Sequence, residues 1–365
     1  MKKNTIKLTR KIQVNVDLPK GEERQAAIKK LYQYQNRCYR AANMIVSHLY
    51  VQEMLSDFFY LTDGIRAKLA DHKKTENGIL NRSRKNTTYR VVVDAFKGEV
   101  PTDILACLNQ NLSNSFHHYK DEYWRGQRSV PNFRNDMPFP FSMDVFKDFV
   151  YDAYNERFSF KLFHIPFYTY LGSDYTDKSQ LLYRVLHGKL KLCSSHLQLK
   201  NGKTYWLAVF EMEKEKHPLK PAKVAEASLS LAHPIVVKVG NSKLHIGNKE
   251  EFLHRRLAIQ AAAQRAKSAV TYTKSGNGRK RKLKAMNRFK EKELRYVRSR
   301  LHLYSRRLID FCVQHQAGTL MLMNQESKIK LAKEEEFVLR NWSYYDLITK
   351  IKYKAQKVGI ELIVG

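Results

Sequence analysis

Residues 224–230 read VAEASLS, and PIVVKV follows at 234–239. Both runs are short and largely apolar, as strands buried in a sheet tend to be. A third run at 243–246 is joined to the second by Gly240-Asn241-Ser242, residues that suit a tight turn. A long helical region is expected over about 250–316, with Leu294, Val297, Leu301, Tyr304, Leu308 and Phe311 on one apolar stripe. TLMLM (319–323) reads as a buried strand, WSYYDLITKIKYKAQKVG (342–359) as a helix and IELIV (360–364) as a last strand. Gly359 stands where a helix ends on left-handed backbone. Three strands, helix, strand, helix, strand is an α/β pattern, and by periodicity alone many folds share it.

Upstream the pattern differs. TIKLTRKIQVNVD (5–17) alternates like a strand, and Pro19-Lys20-Gly21 breaks it. A helix is expected from Glu22 to about Tyr60, with Ile28, Leu31, Cys38, Ala42, Ile45 and Leu49 on its apolar side. The polar run 71–86 reads as a loop. A helix over 102–124 follows, with Ile104, Leu105, Leu108, Leu112, Phe116 and Tyr119 at helical spacing. Pro131, Pro138, Pro140 and Pro166 mark a change to β structure. LKLCSSHLQL (190–199) and KTYWLAVFEM (203–212) flank Lys200-Asn201-Gly202, a strong hairpin signal. The charged, proline-bearing run 214–223 reads as a linker.

Composition narrows the partner. Sixty-six Lys+Arg against 35 Asp+Glu give 365 residues a formal charge of +31. Such an excess opposes compaction unless a polyanion neutralises it, so nucleic acid is the expected partner. Hydrophobic residues at 43% and aromatics at 12% are globular rather than disordered. Cys38, Cys107, Cys193 and Cys312 stand alone, without CxxC spacing, so no zinc is expected and reduced thiols fit a cytoplasmic protein. No apolar run nears 18 residues, and no membrane association is expected. The adjacent His117 and His118 are expected on a helix surface rather than on a metal.

Three stretches carry a resemblance: WRGQRSVPNFRNDMPFPF (124–141), AGTLMLMNQESKI (317–329) and VLRNWSYYDLITKIKYKAQKVGIELI (338–363). Together they resemble the miniature type V-F CRISPR effectors, the Cas-twelve-f group, and more distantly the transposon-encoded TnpB proteins. The resemblance implies an α+β multidomain chain: a wedge β-barrel with an inserted helical recognition lobe, then a RuvC-like (RNase H-like) α/β domain. The implied layout is a wedge strand at 1–18, a helical lobe at 19–125, a wedge barrel at 126–218 and a degenerate RuvC-like domain at 219–365. Trp342 and at least one of Tyr344 and Tyr345 are expected in the core of that last domain.

In that family the first RuvC strand ends on a metal-binding Asp, and here the matching position is Ser228. The strand after the long helices carries a Glu, and here Met323 stands in its place. The family's zinc ribbon and third catalytic Asp are also expected to be missing. Two-metal phosphodiester hydrolysis needs carboxylates to hold two divalent cations about 3.5–4 Å apart. A hydroxyl and a thioether supply no such charge, and sulfur is a poor partner for hard Mg²⁺. Glu226 lies about 7 Å back along the first strand, and Glu326 lies just past the second. Both read as rim carboxylates, so a catalytic metal and nuclease activity are not expected.

The polyanion surface remains. Residues 279–307 hold 13 Lys/Arg against two acids, Glu291 and Glu293. Arg279, Lys280, Arg281, Lys282, Lys284, Arg288, Arg295 and Arg298, with Lys274 in a flexible basic loop at 271–282, are candidate phosphate contacts. A solvated helix face is the competing reading of the same run. Arg125, Arg128 and Arg134 surround a proline turn, where Phe133 either stacks on a base or anchors the loop. The resemblance implies a guide RNA as cofactor and target double-stranded DNA as partner. It also implies transcription regulation at the guided site, through an alternative sigma factor and RNA polymerase or by promoter occlusion, and a homodimer as one form of assembly. Residual RNA-guided cleavage with relocated acids is the alternative from another class.

Overall fold

The computed structural model describes residues 5–59, 84–172, 177–228, 233–272, 275–323 and 344–365. The chain is α+β and divides into two compact units, Lys7–Met212 and Glu213–Gly365, the latter with the first residues of the chain.

The first unit holds β1 (Thr5–Val16), α1 (Glu22–Phe59), α2 (Arg84–Phe96), α3 (Thr102–Trp124), β2 (Phe139–Phe141), β3 (Phe146–Asp152), β4 (Arg157–Leu162), β5 (Ile165–Tyr170), α4 (Lys178–Leu186), β6 (Lys191–Lys200) and β7 (Lys203–Glu213). Its seven strands form one sheet in the order β2-β6-β7-β1-β5-β4-β3. The β2–β6, β6–β7, β1–β5, β4–β5 and β3–β4 pairings are antiparallel. Ile12, Val14 and Val16 are buried at period two. They join an aromatic core in which Phe160 lies 4.8 Å from Phe146, 5.5 Å from Phe167 and 5.0 Å from Trp206, centroid to centroid. On α1, Leu31, Cys38, Ala42, Ile45 and Leu49 are buried. Burial pushes the Cys38 thiol up to about 12, which keeps it protonated and inert. His117 and His118 are exposed on α3.

At the β6–β7 hairpin Asn201 (φ 54°) and Gly202 (φ 72°) both take left-handed backbone, which matches the twist of the flanking strands. The expected loop 71–86 needs correction at its end, because α2 already begins at Arg84; residues 71–83 lie outside the described residues. Buried Thr87, Thr88 and Val92 give α2 an inward face against α1 and α3 that the polar composition just before it conceals.

The second unit holds β8 (Lys220–Ser228), β9 (Ile235–Val239), β10 (Ser242–Ile246), α5 (Lys249–Thr271), α6 (Gly276–Gln314), β11 (Ala317–Met323), α7 (Tyr344–Val358) and β12 (Glu361–Val364). The sheet order is β10-β9-β8-β11-β12. β8, β11 and β12 run parallel, while β9 is antiparallel to both β8 and β10. Ala225, Ala227, Val237, Leu320 and Leu322 pack with Phe252, Leu301 and Leu308 of α5 and α6 and with Leu347, Ile351 and Ala355 of α7 in one core. Gly359 (φ 84°) ends α7, and the Ile360 amide donates to the Ala355 carbonyl at 2.9 Å, which closes a Schellman turn.

Two expectations change here. The linker at 214–223 is shorter than its prolines suggest, because β8 begins at Lys220. Pro221 is accommodated at a bulge between Ala317 and Thr319 of β11. Gly318 makes that approach possible, since a Cβ there would lie 2.7 Å from both the Lys220 carbonyl oxygen and the Pro221 Cα. The loop expected at 271–282 is also mostly helix, α6 starting at Gly276. Lys and Arg are good helix formers, and their charge does not prevent a helix when a second helix lies alongside.

Candidate nucleic-acid interface

Ser228 and Met323 end the two central parallel strands, and the register pairs them directly across β8 and β11. Side chains alternate along a strand, so both lie on the face away from buried Ala227 and Leu322. Met323 is 41% exposed there. The ends of parallel strands are where open α/β sheets place ligands. The donor pair at this spot is a hydroxyl and a thioether, which does not fit a hard divalent cation. Glu226, two residues back on the same face, is exposed and pairs in register with Lys238 of β9. Glu326, Lys274 and Trp342 lie outside the described residues, as do the side chains of Tyr344 and Tyr345.

α5 and α6 form a helical hairpin. Its inner side is tied by Arg256 Nε to Glu293 Oε1 at 2.7 Å, Gln260 Nε2 to the same oxygen at 2.8 Å, and Arg300 to Glu251 at 2.6 Å. Phe252 stacks on Tyr296 at 5.7 Å. Glu293 is thus spent on α5 rather than on neutralising α6. Arg279, Lys280, Arg281, Lys284, Arg288, Arg295 and Arg298 are exposed. Among them Lys284, Arg288, Arg295 and Arg298 recur at helical spacing and share one side of α6. Lys282 Nζ donates to the Ala269 carbonyl at 3.0 Å. It caps the last turn of α5, where a cation also meets the negative end of the helix dipole.

In the first unit, Arg125 follows α3 and is exposed, its amide donating to the Asp121 carbonyl. Arg128 Nε donates to Glu122 at 2.8 Å while its guanidinium sits 3.8 Å from the Tyr119 ring centroid. That partner raises its pKa further and leaves it a stacked, half-neutralised cation. Asn43 of α1 clamps the Phe133 backbone, donating to the carbonyl at 3.0 Å and accepting from the amide at 2.8 Å, so the loop is held to α1 through its main chain. Gln35, two turns earlier on α1, clamps Leu199 of β6 likewise at 3.0 and 2.7 Å. Gln35 and Leu199 help line a cleft of about 840 Å³, whose walls also carry Arg134, Lys29, Tyr32, Asn36 and Lys200. Sequence reading missed Lys29 and Lys200, since only the fold brings α1, the proline turn and the β6–β7 turn together.

No family model matches the chain. It is 28% identical over 197 residues to the CRISPR-associated endodeoxyribonuclease Cas12f1 of Syntrophomonas palmitatica, covering 53% of this chain and 38% of the relative. It is 22% identical over 279 residues to the protein of the same name from Sulfoacidibacillus thermotolerans, covering 70% and 63%. The chain therefore spans less than two thirds of the curated relatives it matches. Among solved structures, a Cas12f1–sgRNA–target DNA complex superposes with a TM-score of 0.65 at 16% identity, over 99% of this chain and 89% of that one. In sequence and in fold the chain is a Cas12f1-like protein, a homologue of the miniature type V-F CRISPR effectors.

Proposed function

We propose that this protein is an RNA-guided DNA-binding effector that does not cut its target and instead regulates transcription where the guide places it. The Glu213–Gly365 unit is read as RuvC-like and the antiparallel sheet of the first unit as the wedge. The β10-β9-β8-β11-β12 order, with its second strand antiparallel, supports the first assignment. One observation carries the reading: Ser228 and Met323 sit side by side at the strand ends where the resemblance calls for carboxylates. Without negative charge there, no pair of Mg²⁺ ions has an anchor, and cleavage is lost.

The chain's own residues supply the binding. Guide-to-target pairing provides sequence specificity, and the protein needs only to hold backbone and duplex shape. The α6 stripe and the Arg134 cleft offer cations for that purpose. Guide RNA is the cofactor in this reading, and output follows from occupancy, with recruitment of an alternative sigma factor and RNA polymerase as the favoured route. Co-purification of guide-loaded protein from its host, with a reporter beside the target, tests it. Polymerase in the complex and a raised signal support recruitment. A silenced reporter without polymerase replaces recruitment with promoter occlusion, and guide-dependent strand breaks overturn the non-cutting reading altogether.

A further inference from the structure

We propose that the basic stripe of α6 continues into the groove between α6 and α7, where His302, Arg306, Lys350 and Lys354 hold a phosphodiester group of a nucleic-acid backbone. The inference deepens the reading above and rests on it only for the biological partner. Arg298, His302 and Arg306 follow one another at four-residue steps, extending the row that begins at Lys284 and Arg288. From Lys284 to Arg306 the row is about 33 Å long, enough to follow a backbone over several phosphates.

α7 closes the far end. Leu347, Ile351 and Ala355 seat it on α6 through the common core. Lys350 and Lys354, one turn apart, then stand along the groove. Lys354 Nζ reaches across to α6, donating to the His302 carbonyl at 2.5 Å and to Ser305 Oγ at 2.9 Å. This pins an ammonium beside Arg306, whose Nε is held by Asp310 at 2.8 Å. The site is thus built, not merely charged: one cation is fixed by two hydrogen bonds and another by a carboxylate.

Its electrostatics ask for an anion. Burial, then Arg306, bring the Lys354 ammonium down to about 8, with Lys350 adding to the fall and Asp310 opposing it. Burial, Lys350 and Lys354 hold the His302 imidazole below its usual range. A phosphate oxygen in the groove would relieve this repulsion and draw protons onto both groups. Binding should therefore strengthen as pH falls through about 8, where Lys354 gains its proton, and again where His302 charges.

The test uses the full chain with labelled RNA and DNA duplexes of one sequence and no guide, so that it does not depend on RNA guidance. An R306Q/K350Q variant should bind about 3–10-fold more weakly, with the slope of log K against log salt reduced by about one to two. K354R, which keeps its charge, should remove the weakening of wild type above pH 8. If R306Q/K350Q melts early by circular dichroism, K350Q alone should still lose about 2–3-fold and about one unit of slope. Equal losses on both duplexes identify the shared backbone, and loss on one alone identifies that nucleic acid as the source. Wild-type affinity and slope in R306Q/K350Q, with R288Q/R298Q weakened, overturn the groove and leave the proposed function standing. Failure of the guide-loaded chain to bind target DNA would instead sink the proposed function, whatever the groove does.

Discussion

The two faces of the five-stranded sheet make different demands on the same strands. On the helix-packed face Ala225, Ala227, Leu320 and Leu322 are fully sealed. One residue further along each strand, on the opposite face, Ser228 and Met323 meet across β8 and β11. The sealed face depends on volume and shape, and its burial holds the fold together. At the strand ends, where Met323 is 41% exposed, the side chains matter to the fold less. A chain can therefore vary the second set while keeping the first.

The sharpest contrast in stability should be between neighbours on β11. Leu320→Ala should cost about 2–5 kcal/mol, because it opens a cavity in the core. Met323→Ala should cost under about 1 kcal/mol. Denaturant midpoints measure both, and equal losses would show that the strand end is packed like the core. Gly318→Ala comes next, at about 1–3 kcal/mol, since its methyl group would meet backbone rather than a movable side chain. A neutral result there would mean that the β8–β11 bulge relaxes freely.

Legibility followed the same division between backbone chemistry and tertiary context. Two hairpins of the first unit show it. Asn201 and Gly202 turn β6 into β7 with both residues at positive φ, and their identities announce the turn. Phe163 (φ 51°) and His164 (φ 64°) turn β4 into β5 with the same handedness. A Phe-His pair is a weak turn signal, since a bulky residue such as Phe rarely adopts positive φ. The Phe163 ring explains it, lying 5.9 Å from Tyr34 and 6.5 Å from both Phe139 and Phe141. Contacts far apart in sequence outweigh the local cost. For the same reason α1, α3 and the strands of the second unit could be read from periodicity, while the β3–β5 meander and α4 could not. At the candidate interface, residue type located the cations. It could not show that Lys282 caps α5 or that Arg128 stacks on Tyr119.

Smaller effects separate the cations that hold the fold from those facing outward. R288Q/R298Q should lower the salt slope of duplex binding by about two, whereas Lys282→Gln should leave the slope nearly unchanged and lower stability by about 0.5–1 kcal/mol. The reverse pattern would show that Lys282 leaves the α5 carbonyl to meet phosphate. A slighter effect belongs to the first unit, where burial holds His196 below the usual histidine range. Below about pH 6.5 the unfolded chain takes up a proton that the folded one refuses, so stability should fall as pH drops from about 7 to about 5. His196→Gln should flatten that fall in the denaturation midpoints, and an unchanged slope would assign it to other groups.

In the proposed function the protein binds its target without cutting it. The most direct test incubates the guide-loaded full chain with matched target duplex and either Mg²⁺ or Mn²⁺, then follows the complex by gel retardation and both strands on a denaturing gel. A guide-dependent retarded complex and two intact strands are expected with either metal. A guide-dependent break in either strand would contradict the proposed function, and would show that carboxylates elsewhere in the chain do the work that Ser228 and Met323 cannot.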